Sequence, residues 1–226
     1  MDKAVVVTGA AGALGQAVVA ELLDREERVI ALDLAGPALD QLAERDRVRA
    51  FPVDMTDRDA VRRVWERIDT VAIPSALITL AGGFKPTSLA DLDEDTLEQM
   101  WRTNVVSMLW PCQQAAVRMA AAGGGAIVTV GSRTAISGSA PIAHATTKAA
   151  VVRASELLAE ELRPDNIRVN CVLPSVLDTP ANRTWMSPDL AARAVAPAEV
   201  AKVIAFLVSP DSAPTSGARV PVYGRS

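Results

Sequence analysis

The chain has 226 residues, 50% of them hydrophobic and 4% aromatic, with a formal net charge of −4. That length suits one α/β domain with a large aliphatic core, and an isoelectric point near 5.1 with mixed charges excludes the basic stripe that a nucleic-acid partner requires. A single histidine and two distant cysteines, Cys112 and Cys171, exclude a metal site of the zinc type and read as buried, reduced thiols.

Apolar runs alternate with amphipathic stretches from end to end. A β-branched run at 3–7 is followed by a helix at 12–25, a strand at 28–32 and a short helix at 39–44. A strand at 48–53 leads to a helix at 57–68, with Val61, Val64, Trp65 and Ile68 on one face. A strand at 76–80 precedes a long helix at 94–121, which Pro111 is expected to bend. Gly123-Gly124-Gly125 turns the chain into a strand at 126–130. A helix at 141–162 stops at Arg163-Pro164, and a strand at 167–173, a helix at 197–208 and a strand at 219–222 complete the pattern. Strands without polar alternation, each followed by a helix, predict a doubly wound parallel sheet of about seven strands, a Rossmann fold, in a single domain over 1–226. The stretch 184–196 is the least periodic and carries Pro188; a mobile substrate lid is expected at about 182–196. The N-terminus has no signal-peptide pattern and no run of about 18 apolar residues exists, so a cytoplasmic protein without a membrane partner is expected.

Gly9, Gly12 and Gly15 lie between the first strand and the first helix, with Ala10, Ala11, Ala13 and Leu14 around them. A pyrophosphate needs close backbone approach and free N–H groups at a helix N-terminus, which small residues permit. The second strand ends in Ala31-Leu32-Asp33. A carboxylate there can accept from a ribose diol and repels a 2′-phosphate, and no Arg or Lys flanks Asp33. These residues predict NAD(H) in preference to NADP(H).

Ser132 follows the fifth strand, and His144 and Lys148 share one face of the next helix, one turn apart. With the glycine loop, this pattern resembles the short-chain dehydrogenase/reductase family, whose active site is Ser followed by Tyr-x-x-x-Lys. His144 stands where that family has tyrosine. The resemblance runs from Val5 to Gly224 and implies an oxidoreductase acting on a secondary alcohol or ketone. It implies Asn104, Ser132, His144 and Lys148 as the catalytic set, with Lys148 also holding the ribose and Asn104 a relay water. It implies Asp54 and Met55 near the adenine, Ala81 and Gly82 beside the cofactor, and Pro174, Val176 and Thr179 along the nicotinamide.

The sequence departs from the family elsewhere. Gly12 falls one place early, with Ala13 at the usual glycine position; Thr79 and Leu80 replace two asparagines; Ser175 replaces a glycine. Imidazole has an ordinary pKa of about 6.5, which burial and the Lys148 ammonium would lower. A neutral ring is a base for an alcohol but a poor acid for an alkoxide, so ketone reduction should be slow and favour low pH. Two other readings stand beside this one: a redox-silent dinucleotide binder, and a non-redox enzyme of the dehydratase or cyclase kind reusing the pocket. Nucleophilic hydrolysis is disfavoured, since no Gly-x-Ser-x-Gly elbow surrounds Ser132. The only tyrosine, Tyr223, reads as packing or a subunit contact. Gly83, Phe84, the stretch 134–142 and the lid with Trp185 and Met186 are the expected walls of a small-molecule pocket. A homodimer or homotetramer is expected through the 141–162 helix, along Ala145, Ala149, Val152 and Ala159.

Overall fold

A computed structural model describes residues 1–225. Seven strands, β1 (Lys3–Thr8), β2 (Val29–Asp33), β3 (Val48–Pro52), β4 (Ile73–Thr79), β5 (Gly125–Val130), β6 (Ile167–Pro174) and β7 (Arg219–Val222), form one sheet. Their order is β3-β2-β1-β4-β5-β6-β7 and every pairing is parallel. Helices α1 (Ala13–Asp24), α2 (Pro37–Ala43), α3 (Arg58–Ile68), α4 (Glu94–Trp101), α5 (Ser107–Ala121), α6 (Ile142–Glu161), α7 (Pro180–Arg183), α8 (Pro188–Ala191) and α9 (Pro197–Val208) complete the chain. The expected doubly wound α/β sheet is what the structure shows.

The five inner strands are buried on both faces because their odd and even side chains enter separate cores, while the edge strands β3 and β7 are partly exposed. Val6, Ile30, Leu77 and Ile127 pack beneath α3, α5 and α6 with Trp65, Met108 and Met119. Val5, Val7, Ala31, Ile78 and Val128 pack on the other face beneath α1 and α9 with Val18, Leu22, Val200 and Ile204. Chain order reverses between β1, which leads outward to β2 and β3, and β4, which leads the other way. This switch opens a crevice at the carboxyl ends of the strands, where open α/β sheets bind ligands. Among the described residues no helix is long and apolar enough to cross a membrane.

Several local expectations are corrected. The helix expected at 94–121 is two helices joined by a π turn at Arg102–Val106, so the irregularity lies at Asn104 and not at Pro111, which sits buried inside α5. A single π turn is a common device at functional positions because it rotates one residue out of the α register. The β4 strand begins earlier than its apolar run, at Ile73, and accommodates Pro74 through a register shift between Ala4 and Val5. Proline has no N–H for the ladder, and a bulge removes the demand for one. The stretch expected as an aperiodic lid follows on from the end of α7 and contains α8, and its far end is fixed by a bridge between Leu177 and Val195. The small side of α6 is not one free face: Val152 and Ala159 are buried in the chain's own core, while Ala145 and Ala149 are half-buried.

Candidate active site

The glycine loop follows β1. Gly9 has φ +65°, and a Cβ there would lie 2.6 Å from Ala81 N; one at Gly15 would lie 2.1 Å from Gly9 O. These two glycines are required for backbone packing. Gly12 differs: a Cβ there would meet only Gly9 O, at 3.4 Å. Gly12 is the N-cap of α1, extended at φ −69°, ψ 166°, with no side chain capping the helix and no acidic residue in its first turn. The first-turn N–H groups and the positive end of the helix therefore face the crevice, a setting that suits a pyrophosphate. Leu14 packs partly against the α1–α9 core, which seats the loop.

Asp33 ends β2 beside this loop. Its Oδ2 accepts from Ala11 N at 2.8 Å and its Oδ1 from Leu34 N at 2.7 Å. Each oxygen keeps a lone pair for a further donor. Asp54 folds an Asx turn, its Oδ1 accepting from Thr56 N at 2.8 Å, and the Met55 side chain is buried in the core. Ala81 N donates to Thr8 Oγ1 at 3.4 Å, tying the end of β4 to β1. Thr79 Oγ1 is buried without a hydrogen-bond partner among the described residues.

The remaining groups converge beyond Gly82. A Cβ at Gly82 would lie 3.1 Å from Asn104 Oδ1 and 3.3 Å from Lys148 Nζ, so both side chains close on this glycine. Asn104 is 1% exposed within the π turn. Its Oδ1 accepts from Gly83 N at 2.9 Å and its Nδ2 donates to Thr147 Oγ1 at 3.1 Å. Lys148 Nζ donates to Val130 O at 3.0 Å, and its dense surroundings push its pKa down to about 8. Burial first, and the Lys148 ammonium second, push His144 down to about 4, against a smaller opposing contribution from the Gly83 backbone. The His144 ring meets Phe84 edge to face at 5.0 Å between centroids, and its Nδ1 is buried without a partner among the described residues. Ser132 Oγ shares a 2.8 Å hydrogen bond with Thr134 Oγ1 and accepts from Thr134 N at 3.2 Å. The turn that follows it, Arg133–Ala135, packs on α6.

On the far side, Pro174 is buried at the end of β6, and Val176 O accepts from Val195 N at 2.9 Å. Thr179 caps α7, its hydroxyl accepting from Asn182 N at 3.1 Å. The arrangement as a whole is a crevice with a free helix N-terminus at one end and a neutral imidazole, an ammonium and a hydroxyl at the other. It can hold a dinucleotide extended between them and accept or return one proton.

The model of the short chain dehydrogenase family matches residues 3–189. This chain belongs to the short-chain dehydrogenase family. It is an oxidoreductase of that family, which binds a nicotinamide dinucleotide. The D-xylose 1-dehydrogenase of Caulobacter vibrioides is 29% identical, over 95% of this chain and 92% of its own. The D-threitol dehydrogenase of Mycolicibacterium smegmatis is 31% identical, over 98% of this chain and 92% of its own. A short chain dehydrogenase of Leptospira borgpetersenii, solved with bound NAD+, superposes with a TM-score of 0.90 at 25% identity, covering 100% of this chain and 92% of that one.

Thr147 was missed by the sequence reading of this candidate site, and Thr134 was expected only as part of the pocket wall. Thr147 holds the Asn104 amide, and Thr134 holds the Ser132 hydroxyl. Their adjacency to Lys148 and Ser132 was visible in the sequence, but their partners come from a π turn and a short helical turn that no periodicity announces.

Proposed function

We propose that this chain is an NAD(H)-dependent oxidoreductase of a secondary alcohol or ketone, using His144 in place of the family's tyrosine and working best as an alcohol dehydrogenase. The observation that carries this reading is the meeting of Asn104 Oδ1 and Lys148 Nζ at Gly82, which joins the catalytic set to the dinucleotide crevice. When bound, the dinucleotide would exchange a hydride with the substrate carbon. Its pyrophosphate would lie on the Gly9, Gly12, Leu14 and Gly15 loop, and its adenosine between Asp33 and the Asp54–Met55 turn. Ala81, Gly82, Pro174, Val176 and Thr179 would line the remainder, and Lys148 would hold the ribose hydroxyls.

His144, neutral at physiological pH, would take the hydroxyl proton of the alcohol on its imidazole while Ser132, oriented by Thr134, holds the oxygen. Asn104 would fix the Gly82–Gly83 strand end against α6. A neutral ring at neutral pH also supports a second reading, a redox-silent dinucleotide binder, because the same group is a poor acid for ketone reduction. The substitution His144→Tyr separates them. A large rise in reduction of a simple diketone marks a reductase limited at this residue, and loss of a native alcohol oxidation marks His144 as the working base.

The preference for NAD(H) rests on Asp33. Energy transfer from the four tryptophans to bound NADH and NADPH reads it directly. NADH should bind at micromolar concentrations and NADPH much more weakly, and Asp33→Ser should reduce or invert that ratio; an unchanged ratio would remove Asp33 from the assignment. We further propose a cytoplasmic homodimer or homotetramer. Leu157 on α6 and Leu97 and Trp101 on α4 are 48%, 48% and 49% exposed on neighbouring helices and support a subunit interface. A monomeric mass by light scattering at micromolar concentration would refute it.

A further inference from the structure

We infer that the substrate carries an anionic oxygen group, a carboxylate or a phosphate, and that Arg133 is the residue that recognises it. This rests on the proposed redox function for its setting. Arg133 directly follows Ser132, in the turn Arg133–Ala135 that packs on the helix bearing His144 and Lys148. It is half-buried. Its guanidinium lies over the ring of the chain's one tyrosine, Tyr223, at 5.3 Å from the centroid.

The backbone that carries that ring is anchored. Ser175 Oγ donates to Tyr223 O at 3.0 Å, and Ser175 N donates to Val222 O at 3.2 Å, so the ends of β6 and β7 are tied together beneath it. A guanidinium stacked on an aromatic face keeps its in-plane N–H donors free at the edge, and that planar fork matches carboxylate and phosphate oxygens two at a time. Among the described residues Arg133 has no carboxylate partner and no side-chain hydrogen bond.

Three other cations at this end of the sheet are engaged. Lys148 is bonded to Val130 O, Lys85 to Thr96 Oγ1, and Arg183 to Asp178. His144 is uncharged at neutral pH, being pushed down to about 4. Arg133 thus carries a charge without a carboxylate partner among the described residues, one residue from Ser132. An anionic substituent on the substrate supplies what is missing. The cation-on-ring contact also assigns Tyr223 a positioning role for Arg133, beyond packing.

The test measures binding and turnover separately. The protein, with and without NADH, is titrated by calorimetry with short straight-chain oxo acids, from pyruvate to 5-oxohexanoate, each against its methyl ester. Dihydroxyacetone phosphate against dihydroxyacetone forms the phosphate arm. At least one anion should bind about tenfold or more tightly than its neutral counterpart, as a charged hydrogen-bond pair predicts, and the arm in which this occurs decides between carboxylate and phosphate. Arg133→Gln should abolish the anion-to-neutral ratio while leaving NADH affinity intact, and Arg133→Lys should retain part of it.

Should Arg133→Gln fail to fold, Tyr223→Leu, which removes the platform, should lower the ratio several-fold on its own. Equal binding of anions and neutral counterparts, or a preference that survives Arg133→Gln, overturns the inference. Reduction of NAD+ by the corresponding secondary alcohols, from lactate to 5-hydroxyhexanoate with their methyl esters and glycerol 3-phosphate against glycerol, reads the redox proposal independently. Anion preference without turnover keeps Arg133 and sinks the redox reading; turnover of neutral alcohols alone does the reverse.

Discussion

Under the proposed function, His144 in the place of the family's tyrosine changes what the site can do. Sequence reasoning expected burial and Lys148 to lower its pKa, and both act in that direction, burial more strongly, to about 4. Across ordinary pH the ring is a standing base. The rate of alcohol oxidation should therefore stay flat in its His144 dependence from pH 8 down to about 5 and fall as pH approaches 4, while ketone reduction rises only in that acid range. A pH–rate profile with a break near the unperturbed value of about 6.5 would show that the ring is solvated and not held as the structure has it. Thr147 is the second residue to test. Thr147→Val leaves Asn104 Nδ2 without its main partner inside the protein. A buried donor left unpaired costs about 1–3 kcal/mol, so the melting temperature should drop and kcat fall, with Thr147→Ser restoring both. Recovery of stability without recovery of kcat would confine Thr147 to a structural role.

At the scale of elements, the glycine loop separates residues that fold the chain from residues that serve a ligand. Gly15→Ala forces a Cβ within 2.1 Å of Gly9 O and 2.6 Å of Ala10 O, both backbone atoms that cannot turn aside. Overpacking of this kind costs about 1–3 kcal/mol or more, and thermal unfolding should register it even without ligand. Gly12→Ala meets only Gly9 O, at 3.4 Å. Its melting temperature should match the parent while NADH affinity falls, because the new methyl occupies the space a pyrophosphate would enter. Equal thermal losses in both variants would show that Gly12 has no ligand role.

The strands and helices that frame this loop were legible because their patterns are simple: continuous aliphatic runs for strands buried on both faces, and Val61, Val64, Trp65 and Ile68 at helical spacing for α3. The π turn at Asn104 was not legible, because it changes hydrogen-bond register without changing the apolar pattern. Nor was the division of α6, whose Val152 and Ala159 look like a free small-residue face until the sheet beneath them is placed. The order of Ser132, His144 and Lys148 marked the candidate site in the sequence. The partners that hold Ser132 and Asn104, Thr134 and Thr147, depended on turns that only the folded chain supplies.

For the whole molecule, the same two depressed pKa values link the site to stability. The folded state holds His144 near 4 and Lys148 near 8, whereas the unfolded chain restores values of about 6.5 and 10.4. In both cases the unfolded state binds more protons between the two values, so stability rises with pH across each window. For Lys148, the stability present above its unfolded value is lost as pH falls toward 8, so at neutral pH its cost is already fully incurred. For His144 the stability is intact above the unfolded value of about 6.5 and is lost as pH falls toward 4. His144→Gln removes that linkage. The difference in unfolding free energy between His144→Gln and the parent should therefore be constant above about pH 6.5 and shift in favour of the variant as pH falls toward 4, in chemical-denaturation curves taken at fixed temperature. A difference that stays constant throughout would mean that imidazole titrates alike in both states and that the crevice admits water freely around it. Saturating NADH, binding only the folded chain, should raise the whole curve by RT ln(1 + [L]/Kd). If Lys148 holds the ribose as proposed, that increment should shrink above about pH 8, where its ammonium is lost.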